Sequence, residues 1–162
     1  MTQVHQSNSH ELASAPPAMR SLAHVLQTYP VELPVGRAMW SARVKGRTAL
    51  TMMSWPGSVP DAVLVFTVLV GNALQHGLCD ACGSPTVLHG RLSTTDAKQL
   101  LIDVEDPNPS FPYFSNVRAG AGGGVLAGLL QRHVITDLIY AVHAEGRGKT
   151  VRAVLDAGAV EL

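Results

Sequence analysis

The stretch from Asp61 to Gly77 constrains this chain most, because it is apolar almost all round and still carries two polar side chains on one face. Its length predicts a helix from Asp61 to His76, with Pro60 and Asp61 in the first turn and Gly77 at the C′ position. Asn72 and His76 stand at i and i+4, so they share one face. A buried helix that points an amide and an imidazole the same way indicates a site.

The composition sets broad limits on the function. The chain has 162 residues, of which 46% are hydrophobic, and this predicts one domain with a proper core plus some tail. The 12 basic and 12 acidic residues cancel, which argues against bulk binding of nucleic acid or of an anionic membrane. We see no secretory signal, no apolar run near the roughly 18 residues of a membrane span, and too few cysteines for a disulfide framework. We therefore expect a soluble cytoplasmic protein.

The chain divides into a flexible N-terminal tail over residues 1–28 and one domain over residues 29–158, because polar residues and prolines fill the first segment. A short amphipathic helix is an alternative at the end of the tail, on the spacing of Met19, Leu22, Val25 and Leu26.

The periodicity within the domain predicts helices at 36–53 and 125–133, an edge strand at 31–35, and hairpins of 86–92 with 99–105 and of 136–143 with 150–155. Helices followed by such hairpins predict an α+β two-layer sandwich, with a mixed, mostly antiparallel sheet and the helices on one face. The segment 106–124 is longer than most loops, so it is either a functional lid or disordered.

Four motifs occur in a fixed order, and their order matters more than any one of them. They are Asn72–Gly77 on the buried helix, Val104–Pro112 with an acid at a strand end, Gly120–Leu126 before a helix, and Gly148–Val151 at a strand start. This order resembles the Bergerat ATP-binding fold (GHKL) shared by DNA gyrase B, heat-shock chaperones, histidine kinases and mismatch-repair ATPases. The small single-domain form is most similar to the anti-sigma-factor serine kinases and to actinobacterial single-domain relatives. The resemblance covers about residues 30–156.

The resemblance implies ATP and Mg²⁺ as ligands and a role for each motif. Asn72 would hold the Mg²⁺, Asp106 would accept a hydrogen bond from the adenine amino group, and Thr150 would support that contact. The residues expected to bind the cofactor are Asn72, His76, Asp106, Asn108, Gly122, Gly123, Gly124, Val125 and Thr150. Taken singly, each has a plainer interpretation: a buried amide, a turn-starting acid, a strand threonine and a flexible glycine linker.

The chain departs from the family pattern at two positions. Val68 stands where the kinases carry the glutamate that acts as a base, one helical turn before Asn72. Valine cannot accept a proton, and general-base assistance is worth about 10²–10⁴ in rate, so we expect no catalytic residue here. Gly123 stands where close relatives often carry an arginine, which Arg118 or Arg132 could replace.

A separate pattern is Cys79-Asp-Ala-Cys82, flanked by His76 and His89. Such a set could share a Zn²⁺ ion or exchange disulfides, although a single CxxC motif is weak and ordinary loop cysteines are the plainer interpretation.

The favoured function is a regulatory ATP-binding protein of the anti-sigma type, which would bind a sigma factor or an anti-sigma antagonist and would form a homodimer. The alternative is a non-catalytic interaction module with a degenerate nucleotide site. Met39 and Trp40 in the first helix are either interface residues or core residues.

Overall fold

A computed structural model describes residues 23–78 and 85–158. The strands are β1 (Val25–Pro34), β2 (Val87–Thr95), β3 (Leu100–Asp106), β4 (Asp137–Val142) and β5 (Lys149–Leu155). The helices are α1 (Ala38–Met52), α2 (Val59–Asn72), α3 (Phe114–Arg118) and α4 (Val125–Gln131). One π-helical turn, Ala73–Gly77, continues α2, and short 3₁₀ turns occur at Val35–Arg37 and Ala144–Gly146.

The described strands form one five-stranded sheet in the order β1-β2-β3-β5-β4. All four pairings between these strands are antiparallel, so the sheet lacks the mixed character that the sequence predicted. The helices pack on one face, where alternate strand residues such as Leu92, Ile102 and Ala153 are fully buried beneath them. The predicted α+β two-layer sandwich is therefore confirmed.

The beginning of the described chain is a strand and not the helix that was the alternative for it. Val25 and Leu26 lie at the start of β1, whose backbone pairs with β2 from Val25 opposite Thr95 to Pro34 opposite Val87. The backbone N–H and C=O groups of this segment are therefore paired with β2, and they do not need the internal hydrogen bonds of a helix. β1 begins before the predicted edge strand 31–35, and it is an edge strand as expected. Met19 and Leu22 lie outside the described residues.

Helix α2 begins two residues earlier than predicted because Ser58 caps it. The Ser58 side chain accepts a hydrogen bond from the Asp61 backbone N–H at 3.3 Å. By length and composition, the 19 residues Val59–Gly77 would suffice to cross a membrane, a possibility that the sequence analysis had set aside. In the structure this stretch packs against α1 and the sheet, with Val65, Phe66 and Val70 fully buried.

The segment 106–124 is partly regular, which the sequence did not indicate. It contains α3, and the rings of Phe111, Phe114 and Tyr140 form a cluster with centroids 4.7 to 5.5 Å apart. Contacts between aromatic rings stabilise a structure beyond the effect of burying their surface. They attach the segment to β4, which carries Tyr140.

Phe66 of α2 is the point where both layers meet. A Cβ added to Gly46 of α1 would lie 3.0 Å from the ring, and one added to Gly90 of β2 would lie 2.8 Å from it. Both glycines therefore let the neighbouring backbones reach the ring, and the close spacing of helix and sheet depends on them.

We expect Gly90→Ala to lower the free energy of unfolding by about 1–3 kcal/mol, because its methyl group would overpack against Phe66. In a Phe66→Leu background the same substitution should cost much less, since the ring is gone. Urea unfolding of the two single variants and the double variant measures this coupling. Equal costs of Gly90→Ala in both backgrounds would contradict the packing described here.

Candidate functional site

A cavity of about 640 Å³ lies between the end of α2, the ends of β3 and β5, and the segment from Ser110 to Ala127. Its size falls within the range of small-molecule sites. Most of its wall is apolar, from residues such as Val104, Phe111 and Leu126. Specific recognition of a ligand is therefore left to a few polar groups.

Five of the predicted cofactor-binding residues line this cavity: Asn72, His76, Asp106, Gly124 and Val125. They come from three separate segments of the chain, so only the fold brings them together. The resemblance thus pointed to residues that share one recess.

Val68 also lines the cavity, one turn before Asn72, and packs partly against the core. The kinases of the resembled family carry a base at this position. Here the side chain that faces the cavity is apolar. Among the described lining residues the only carboxylate is that of Asp106.

Asn72, Gln75 and His76 form the polar part of the wall on the α2 side. None of these three side chains has a hydrogen-bond partner within the described part of the chain, where Asn72 is half-buried and Gln75 and His76 are exposed. The π-helical turn begins directly after Asn72, and such turns are frequent at functional sites. These amide and imidazole groups are free to contact a ligand.

Asp106 forms a buried ion pair with Lys149, which the sequence analysis did not identify. Lys149 Nζ lies 3.1 Å from Asp106 Oδ2, and only 4% and 7% of the two side chains are exposed. The ammonium also donates to the carbonyl oxygens of Asn108 at 2.6 Å and Ser110 at 2.7 Å. Its ring contact with Phe111 is 5.6 Å to the centroid. Lys149 therefore holds Asp106 and the chain that follows it in one arrangement.

Asn108 stabilises the turn after Asp106 and is not among the residues that line the cavity. Its backbone N–H donates to Asp106 Oδ1 at 2.9 Å, and its Oδ1 accepts from the Ser110 N–H at 2.9 Å. Its side-chain amide donates to the His76 carbonyl oxygen at 3.1 Å. Asn108 thus ties the end of α2 to this turn, which is a structural role.

Two glycines allow the backbone to approach Asp106. A Cβ on Gly77 would collide with Asp106 Oδ1, and one on Gly148 would lie 2.6 Å from the Asp106 carbonyl oxygen. Gly148 also has a φ of +114°, which disfavours other residues. Gly77 is the last residue of the π-helical turn and Leu78 is its C-cap, so Gly77 does not occupy the predicted C′ position. Its importance lies in the close contact.

Thr150 is not brought to the cavity. It lies on the sheet face opposite the helices, where its hydroxyl is 2.8 Å from His143 Nε2 and it lines a smaller recess with His89 and Glu105. The residue of β5 that pairs with Asp106 across the ladder is Lys149. Thr150 therefore does not lie beside the Asp106 carboxylate, since adjacent strand residues face opposite ways.

The outer sheet face is held by an Arg–Asp–Arg cluster. The buried Asp103 carboxylate accepts from Arg152 at 2.7 Å and from Arg91 at 3.0 Å. The hydrogen bond with Asp103 raises the pKa of the Arg152 guanidinium above its usual value, although burial acts in the opposite direction. These groups satisfy one another and lie apart from the cavity wall.

The glycine-rich loop reaches the cavity only through Gly124, the residue before α4. Gly122 has a φ of +92°, and both Gly122 and Gly123 are exposed with open space beside them. The arginines considered as replacements for a missing cation are engaged elsewhere. Arg118 pairs with Asp137 at 3.2 Å, and Arg132 donates to the Gly128 carbonyl oxygen at 3.3 Å.

The proposed zinc or redox pair, Cys79 and Cys82, lies outside the described residues. Of its two candidate partners, His76 lines the cavity and His89 lies on the outer sheet face. Within the ranges 23–78 and 85–158, no three His, Cys, Asp or Glu side chains cluster in a way that could hold a metal ion.

The comparisons with known proteins give no assignment. No family model matches the sequence, and no curated protein matches it. The resemblance to the Bergerat fold family therefore stays a prediction that rests on the motifs and their order.

We expect Lys149→Met to lower the free energy of unfolding by about 3–5 kcal/mol, because it would leave the buried Asp106 carboxylate without its cation. Arg147→Met is the matched control, since that side chain is 82% exposed and its loss should leave the unfolding midpoint unchanged. Urea unfolding measures both. A Lys149→Met protein as stable as the wild type would show that the ion pair does not hold this region.

Proposed function

We propose that this chain is a regulatory protein that binds an adenine nucleotide in the cavity and does not transfer its phosphate. The observation that carries the proposal is the meeting of Asn72, Asp106 and Gly124 at one recess from three separate segments. A large apolar cavity with a few convergent polar groups is the usual form of a small-molecule site.

Asp106 is the group that would select the base. Its carboxylate accepts from Lys149 and from the Asn108 backbone N–H, and a carboxylate can accept about four hydrogen bonds in all. Acceptor capacity thus remains for a ligand amino group. The apolar walls beside it, including Val104 and Val151, suit a flat ring.

Asn72 fits a Mg²⁺ ion that arrives with phosphates, because its half-buried amide lines the cavity and has no other partner in the described chain. Mg²⁺ commonly takes only one or two protein ligands and completes its shell with phosphate and water. One neutral amide would position the ion and add little charge of its own.

Val68 is the reason why the proposal excludes catalysis. A base must lie within hydrogen-bond reach of the proton it removes, and the Asp106 carboxylate is already held by Lys149. Asp61 is exposed at the start of α2, far along the helix from Asn72. A bound nucleotide would then act as a signal and not as a substrate.

The outer face of α1 is the proposed partner surface. Trp40 is 60% exposed and Val44 is 45% exposed, so they are not core residues, and Met39 is also 37% exposed. The stretch 35–60 contains no acidic residue and has four basic ones, Arg37, Arg43, Lys45 and Arg47. An exposed aromatic group among arginines suits an acidic protein partner. On the family resemblance, that partner would be a sigma factor or an anti-sigma antagonist.

A second candidate is an interaction module whose cavity binds no nucleotide. The Asp106–Lys149 ion pair favours it, because the Asp106 carboxylate is only 7% exposed and already accepts from an ammonium and a backbone N–H. In that case the protein would act only by binding a partner through the outer face of α1.

Calorimetry with ATP and Mg²⁺ decides between the two candidates. We expect the wild type to bind and Asp106→Asn to bind at least tenfold more weakly, because an amide is a poorer acceptor than a carboxylate. Thr150→Val is the matched control, and it should bind like the wild type because residue 150 lies on the other sheet face. Absence of binding by a folded wild type would exclude the nucleotide proposal.

The same samples test the lack of catalysis. We expect bound ATP to stay intact in the wild type, and Val68→Glu to hydrolyse it about 10²–10⁴ times faster than the isosteric Val68→Gln. Wild-type turnover that exceeds that of Val68→Gln would contradict the non-catalytic assignment.

We expect Arg43→Glu to weaken binding of a candidate sigma factor or antagonist by about tenfold, because it reverses a charge beside Trp40. A fluorescence titration measures this, and Arg132→Glu, at the end of α4, is the control. Equal affinities for both variants would place the partner elsewhere.

A further inference from the structure

The formal charges of the described cavity wall balance one another. Among the described lining residues, the only formal charges are those of Asp106 and Lys149, and these two are 3.1 Å apart. The other polar side chains among the described lining residues are those of Asn72, Gln75, His76, Ser110 and Tyr113. A ligand that fills this cavity therefore meets no unbalanced charge from its wall.

Lys149 has no donor left for a phosphate. An ammonium group carries three N–H donors. Here they face three oxygens, those of Asp106 Oδ2, the Asn108 carbonyl and the Ser110 carbonyl. A phosphate that took one of these donors would have to displace an oxygen that the ammonium now holds, and only 4% of the Lys149 side chain is exposed.

The neighbouring cations are not directed at the cavity. Arg118 and Arg132 are engaged as described above, and neither is among the lining residues. The segment 79–84, which follows the π-helical turn by one residue, contains no lysine or arginine.

From this charge balance we infer that the cavity selects its ligand by an uncharged purine nucleoside part, and that phosphates add little to binding. The inference rests on the proposed function and names the part of the nucleotide that is recognised. Moving several negative charges into a mostly apolar recess costs desolvation, and no cationic side chain of the described wall is free to repay it. The phosphates would remain in solvent at the mouth, near Asn72, Gln75 and His76.

This mode of recognition determines which ligands the protein would respond to. A site that reads only the base and sugar responds to the total of adenosine-bearing ligands. It does not distinguish ATP from ADP, as a site with phosphate-binding cations would.

Calorimetry of the full chain with adenosine, AMP and ATP, each with and without Mg²⁺, tests the inference. We expect dissociation constants within about threefold of one another, with or without Mg²⁺, because the single neutral amide of Asn72 adds little to the binding of the ion. ATP binding more than about tenfold tighter than adenosine would overturn the inference while leaving the proposed function intact. If none of the three binds, the proposed function fails and the inference fails with it.

A pair of substitutions at Gly123 tests whether the lack of a cation near the cavity is the reason why phosphates add little to binding. Gly123 adjoins Gly124 in the cavity wall, has open space beside it and needs no positive φ. We expect Gly123→Arg to tighten ATP binding by about tenfold through charge-assisted hydrogen bonds and to leave adenosine unchanged. Gly123→Ala should change neither. No gain for ATP, or an equal gain for adenosine, would show that the lack of a cation does not set the ligand class.

Discussion

The Asp106–Lys149 ion pair joins the parts of the chain that form the cavity. Its two members end β3 and begin β5, and the ammonium also holds the Asn108 and Ser110 carbonyl groups. Asn108 in turn reaches the end of α2 through the His76 carbonyl oxygen. One buried pair thus fixes the ends of β3 and β5, the end of α2 and the turn that leads to the aromatic cluster. Buried pairs of this kind do not stabilise a fold by much in total, but losing one partner is expensive.

The same pair determines the chemistry that the cavity can perform. It leaves a carboxylate with spare acceptor capacity and cancels its charge, so the site can accept a hydrogen bond without attracting a cation. Val68 removes the base, and no lining residue adds a free positive charge within the described chain. Recognition of an uncharged base without reaction is what this combination favours.

The sequence predicted the elements better than the site. Apolar spacing located α1, α2 and both hairpins, because periodicity reports directly on burial. It could not predict α3, which depends on contacts of Phe111 and Phe114 with the distant Tyr140. It also could not show that Thr150 lies on the outer sheet face, since the face of a strand residue depends on the register of β5 against β3. The opposite charges at the ends of β3 and β5 were the one signal that could have indicated Lys149.

A crystal structure of the chain with ATP and Mg²⁺ tests the central claim most directly. We predict the purine amino group within hydrogen-bonding distance of the Asp106 carboxylate, the Lys149 contact preserved, and an intact triphosphate at the mouth beside Asn72. A nucleotide bound on the outer sheet face, a cleaved γ-phosphate, or an empty cavity at saturating ATP would contradict the account.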